Sequence, residues 1–341
     1  MGSPKCYTGR LPYQNSYPQL RVKTEKDYNV VNMDGRLAAP GDLKELLSPS
    51  LLWFIVEKRL PYSKTDPIDF AEFGRSIFLE AGNFSSLVRD SVWPVLTALS
   101  NIGLDNMPDL SRCLPPPSDP SYPEQCLGLQ LLLDHCPRML LRGVDQRWTH
   151  AYFGLVSQRL ARTWHALPPH ERPDSWARWR KTVSLDYWIA VRFWLATPFV
   201  HSELAEDQEI SVEFTEETRV VVERESGIED PYRAQRKAIL ADLYGFPRVH
   251  HAGPPQGEGV TRESWTFWMT MLMDIHKPII DRYGRYPYRN AICGRDSTTE
   301  EREWAKNTGH FAEASEEVAR KIKQDVEQGR WTPLGQGSQK P

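Results

Sequence analysis

Apolar residues recur three and four positions apart through most of this 341-residue chain, and that spacing limits what it can fold into. Residues 146 to 166 carry Trp148, Tyr152, Leu155, Val156, Leu160 and Trp164 in this pattern. Residues 262 to 283 repeat it from Trp265 and Trp268 to Ile279 and Tyr283, and Pro278 predicts a kink there. Such a stripe is stable only when buried against another helix. Alternating runs are scarce: "TRVVVER" at 218 to 224 is the best strand candidate, and it continues an acidic helical pattern. The expected fold is all-α, a bundle of antiparallel helical hairpins with long proline-rich loops.

Punctuation places the elements. Ser48-Pro49, Asp66-Pro67 and Asp230-Pro231 each offer a capping residue followed by proline at the first helical position. Gly245 is expected to end the segment that Pro231 begins. Ser297 and Glu300 read as a capping box. The proline-rich stretches 106 to 123 and 246 to 259 read as loops. Residues 1–40 form an expected extended arm, 41–328 a single helical domain and 329–341 a flexible tail.

Composition removes several function classes. With 42 basic and 45 acidic residues the net charge is −3, a poor match for a nucleic-acid backbone, so no nucleic-acid partner is expected. No apolar run is long enough for a membrane span, and no secretory leader is recognisable. The five cysteines lack close pairing and read as reduced thiols of a cytoplasmic protein. Metal-ligand spacings and glycine-rich nucleotide fingerprints are missing, so neither metal nor cofactor is expected. The sequence carries no signal of oligomeric state.

Three stretches are more polar than a helical scaffold requires: "LDHCPRMLLRG" at 133 to 143, "TPFVHSELAEDQE" at 197 to 209 and "RYGRYPYRNAICGRDSTTEE" at 282 to 301. In this order they resemble the domain of unknown function 924 family of bacterial and fungal proteins. Leu133, Asp134, Pro137, Arg138, Arg142 and Gly143 match the first family pattern, with His135 and Cys136 departing from it. Pro198, Phe199, His201, Ser202 and Glu203 match the second, with Val200 departing. The third is met almost throughout, except that Tyr288 stands where the family has histidine. The likeness spans roughly residues 45 to 305. It implies an all-helical, tetratricopeptide-like fold and a set of candidate residues, but no reaction.

Each candidate has a structural reading beside the chemical one. The arginines of the third stretch can pair with the nine acids between 201 and 225, or one or two of them can hold an anionic ligand. His201 trades protons near neutrality, and Glu203 can orient it; alternatively this stretch caps a helix. Asp134 and Arg138 are spaced to pair along a helix. Twelve tryptophans fill a core or line a ligand pocket. The leading expectation is a cofactor-free enzyme of isomerase or cyclase type. Its substrate is an apolar small molecule carrying a carboxylate or carbonyl. His201, Glu203 and Asn290 are the catalytic candidates. Arg138, Ser202, Arg285, Arg289, Trp194, Trp265 and Trp268 are the substrate-binding ones. The rival is a peptide- or protein-binding helical scaffold without catalysis.

Overall fold

A computed structural model describes residues 40–337, and every regular element among them is helical. The arm expected over residues 1–40 lies outside the described residues except for Pro40, which opens the helix Pro40–Leu46. Ser48 caps Pro49–Arg59, its Oγ accepting the Leu51 amide at 3.4 Å. Asp66-Pro67 opens nothing. Asp69 is the cap instead, accepting the Ala71 and Glu72 amides at 2.9 and 3.0 Å ahead of Phe70–Phe78. The buried stripe of Phe70, Phe73 and Ile77 begins there, and its burial sets where the helix starts.

Other boundaries also move. Asp230 accepts the Tyr232 amide at 2.8 Å, but its second oxygen is held by Arg219 at 2.7 Å. The chain then makes only a tight turn, Arg233–Gln235, and the short helix Arg236–Ile239. Gly245 starts a helix rather than ending one. Gly245–Ala252 holds Pro247 in its first turn, where an amide has no intrahelical acceptor, so much of the expected 246–259 loop is helical. The capping box is Thr298 with Glu301, one residue beyond the expected pair. "TRVVVER" lies within the helix Ala205–Ser226.

The two long periodic runs are helical, each with an interruption. Arg262–Asp274 and Lys277–Tyr283 are separated just before Pro278, and Gly284, at φ +67°, ends the second. The run from Gln146 to His165 contains a π-helical turn, Thr149–Phe153. A second π turn, Leu131–His135, joins Tyr122–Gln130 to Cys136–Leu140. Each admits one extra residue per turn and rotates everything after it.

Consecutive helices pack in pairs in the tetratricopeptide-like manner: Leu185–His201 lies on Ala205–Ser226, which also lies on Arg262–Asp274. Pro49–Arg59 lies on Tyr122–Gln130 so closely that a Cβ at Gly128 would sit 2.5 Å from the Leu52 carbonyl oxygen. The described residues belong to one compact unit. Residues 331–335, within the tail expected from 329, touch the helical body. The Trp331 ring lies 3.9 Å from the Arg147 guanidinium, Trp148 Nε1 donates to the Thr332 carbonyl, and the Gly335 amide donates to Asp145. Among the described residues no helix is long and apolar enough to cross a membrane.

Candidate functional site

The carbonyl end of the helix Leu185–His201 gathers the three polar stretches. Its last carbonyls have no partner within the helix and must find donors elsewhere. Gln208 Nε2 sits 3.0, 3.2 and 2.8 Å from the carbonyls of Phe199, Val200 and Ser202. The Tyr286 hydroxyl donates to the Val200 carbonyl, and Arg289 Nη1 to that of His201 at 2.7 Å. Satisfying these carbonyls therefore seats the 282–301 connection on the 201–208 turn. Pro198 lies inside the helix, and the chain turns only after His201. Ser202 is fully buried, and its Oγ accepts the Leu204 amide at 3.2 Å within the turn.

The first stretch enters through the π turn Leu131–His135. Asp134 is buried there, and one of its oxygens accepts Arg138 Nη2 at 3.0 Å. His201 Nδ1 lies 3.1 and 3.0 Å from its two oxygens. The His201 and Arg138 side chains stay 22% and 18% exposed, so this group has one open side. Burial and the Arg138 guanidinium pull the His201 imidazole down to about 4, against the opposing pull of Asp134. Burial works against the charge of Asp134, yet Arg138 and His201 hold its carboxyl well below the usual range. At neutral pH the arrangement is a carboxylate accepting the Nδ1 proton of a neutral imidazole. That leaves the Nε2 lone pair as an acceptor.

Arg289 borders the same group. It is buried, its guanidinium lies over the Tyr286 ring at 4.2 Å, and its Nε has no hydrogen-bond partner. No ion pair to Arg289 forms among the described residues, and the charge of Glu203 acts on it only at longer range. His150, from the π turn Thr149–Phe153, is held neutral by burial and then by Arg289 and Arg138, which places it in the same field.

The remaining polar candidates are held by partners within the fold. Glu203 does not touch the His201 ring; it accepts Arg295 Nη1 and Nη2 and the Tyr286 amide. Arg285 binds both oxygens of Glu301 at 2.6 and 2.8 Å, and Arg282 pairs with Glu300 in the open. Asn290 Nδ2 donates to Ser297 Oγ, and its backbone carbonyl accepts the Arg295 amide, closing the loop on itself. The acids between 201 and 225 mostly serve other arginines. Glu217 pairs with Arg172 and Arg192, Glu223 with Arg233, and Glu216 with Arg233 and Arg236.

Of the tryptophans, Trp265 packs against Phe70, Phe73 and Phe193, and Trp268 against Phe78, as core aromatics. Trp194 lies 4.3 Å from the His135 ring, next to Asp134 in the chain. Gln208, Tyr286 and His150 were not singled out by sequence. Tyr286 lies in a conspicuous motif, whereas nothing in the sequence marks the other two. Among the described residues no three His, Cys, Asp or Glu side chains are grouped as metal ligands would be.

Fold and site together define a tetratricopeptide-like helical protein with a buried carboxylate–imidazole pair and two guanidiniums at one helix terminus. Residues 110–309, more than half the chain, match the family described as bacterial protein of unknown function (DUF924), and the chain belongs to that family. No curated protein and no solved structure matches it.

Proposed function

We propose that the chain is a cytoplasmic enzyme that moves a proton on a small, largely apolar molecule bearing a carboxylate or carbonyl, in a reaction of isomerase or cyclase type. The observation that carries this reading is the Asp134–His201 pair beside Arg289, a buried guanidinium with no carboxylate of its own. A neutral His201 takes a proton at Nε2, and Asp134 stabilises the imidazolium that forms. Arg138 and Arg289 lie where negative charge develops on the substrate oxygen, and a fixed donor in a dry site stabilises it more than water does. The imidazolium then returns the proton to another atom of the same molecule. The reaction conserves mass and needs neither oxidant nor cofactor. The free thiols at Cys113, Cys126, Cys136 and Cys293 fit a reducing compartment.

The scaffold reading keeps one support: Trp265 and Trp268 fill the core instead of lining a ligand space. Both readings meet the same test. Extracts of a host producing the parent or His201→Gln are compared by untargeted mass spectrometry with chromatographic separation of isomers. A compound of unchanged mass and new retention should form with the parent, and about 100-fold or more slowly with the variant. Identical metabolite profiles from parent and variant would leave a binding scaffold as the answer.

A further inference from the structure

Residue 135 takes part in a second cluster, separate from the contacts of Asp134. Arg59, the last residue of Pro49–Arg59, is only 3% exposed. Its Nη1 reaches the Ser76 carbonyl at 3.4 Å, a long contact, while Nε and Nη2 have no partner. No described carboxylate pairs with it. The Trp194 ring lies 4.8 Å and the Phe84 ring 5.3 Å from its guanidinium carbon. The His135 ring lies tilted against its neighbours, 4.3 Å from Trp194 and 5.0 Å from Phe84. His135 Nε2 and Trp194 Nε1 are also buried without partners.

Four unmet polar atoms in one place are unusual, because buried polar groups are almost always hydrogen-bonded. The atoms also agree in kind. Arg59 Nε–H, Arg59 Nη2–H and Trp194 Nε1–H are donors only, and His135 can donate from Nε2. Burial lowers the Arg59 pKa to about 10 and the guanidinium remains charged at neutral pH. Water would satisfy donors but leave that charge unmatched. Nε and Nη2 form the guanidinium edge whose parallel N–H bonds take both oxygens of a carboxylate. With aromatic rings over the guanidinium, a planar group approaching that edge fits better than a tetrahedral one.

We propose that Arg59, His135 and Trp194 form a binding site for the carboxylate of a small ligand whose remainder is apolar and lies against Phe84 and Trp194. This site stands apart from the acid–base reading of His201 and does not depend on it. Arg59 also precedes the stretch matched to the family.

The test follows the indole N–H resonance of Trp194, assigned by its loss in Trp194→Phe, while acetate, benzoate, phosphate or chloride is added at constant ionic strength. Benzoate should shift it saturably at tens of millimolar or below, with acetate weaker, and phosphate and chloride should leave it in place. Arg59→Lys keeps a charge but loses the fork, and should weaken benzoate about tenfold or more. Arg59→Met should melt no lower than the parent and lose any benzoate-induced rise in melting temperature. No shift with either carboxylate, an equal response to chloride, or undiminished benzoate binding by Arg59→Lys would each overturn the proposal. Because the readout is local to Trp194, a failed search for activity at His201 does not affect it.

Discussion

Glu203 stands two residues from His201, yet its partners come from the far end of the chain. The turn after His201 directs its carboxylate to Arg295 and the Tyr286 amide. Burial raises its pKa, but the Arg295 hydrogen bonds override that and keep it below the usual value, so it is ionised. Neutralising it leaves Arg295 half-buried without a counter-charge and weakens the seat of the 282–301 connection. Glu203→Gln should therefore lower the free energy of unfolding by about 1–3 kcal/mol in urea titrations. Adding Arg295→Met should recover part of the loss, since a stranded charge costs more than an absent pair. A midpoint equal to the parent's would mean that the Glu203–Arg295 pair does not hold the connection in place. His201→Gln leaves Arg138 on Asp134, and a smaller stability change is expected there.

Among the elements, the helices themselves were readable because burial of one stripe imposes a 3.6-residue period on the sequence. Their ends were less so. Asp66, Ser297 and Asp230 are all competent caps, but Asp69, Thr298 and a buried ion pair take precedence once the stripes of the adjoining helices are in contact. The polar excess of three stretches was legible, and so was the Asp134–Arg138 pair. That His201 lies on Asp134, 67 residues away, was not, because two π turns rotate the helices and no period count reveals an inserted residue. Helix proximity offers its own test. Gly128→Ala places a methyl against the backbone of Leu52, which cannot move cheaply. Overpacking of about 1–3 kcal/mol or more should outweigh the helix-propensity gain of about 1 kcal/mol. Gly82→Ala, with nothing within 4 Å of the new methyl, should be neutral or stabilising. Equal thermal shifts for both would mean that the two helices are not in such close contact.

Over the whole molecule, near-neutral net charge hides an uneven internal field. Buried arginines knit distant segments: Arg219 joins Asp230 to Asp274, and Arg192 joins Asp174 to Glu217. Histidines near the site must stay neutral within that field. Burial, then His201, lowers His276 to about 3; burial, then Arg138, lowers His201 to about 4. His135 and His150 are likewise held well below 6.5, by burial first and then by Arg59 and Arg289 respectively. A depressed pKa means that the unfolded chain binds more protons between the folded and unfolded values. The stability these histidines contribute is thus complete above about pH 6.5 and is lost as pH falls toward their folded values. Each costs up to about 1.4 kcal/mol per pH unit within that window. Glu301 responds lower. Burial raises its pKa, but Arg285 overrides this and holds it at about 2, so its contribution disappears only below about pH 4.5. Urea midpoints at constant ionic strength should accordingly be level from pH 8 to about 6.5 and fall from there to pH 5, before carboxylates begin to protonate. His276→Phe, which keeps a ring against Phe246, should shallow that slope even if its midpoint at pH 7.5 is lower. A flat profile down to pH 5 would mean that these histidines keep their ordinary pKa in the fold, and the burial-driven depression described above would no longer stand.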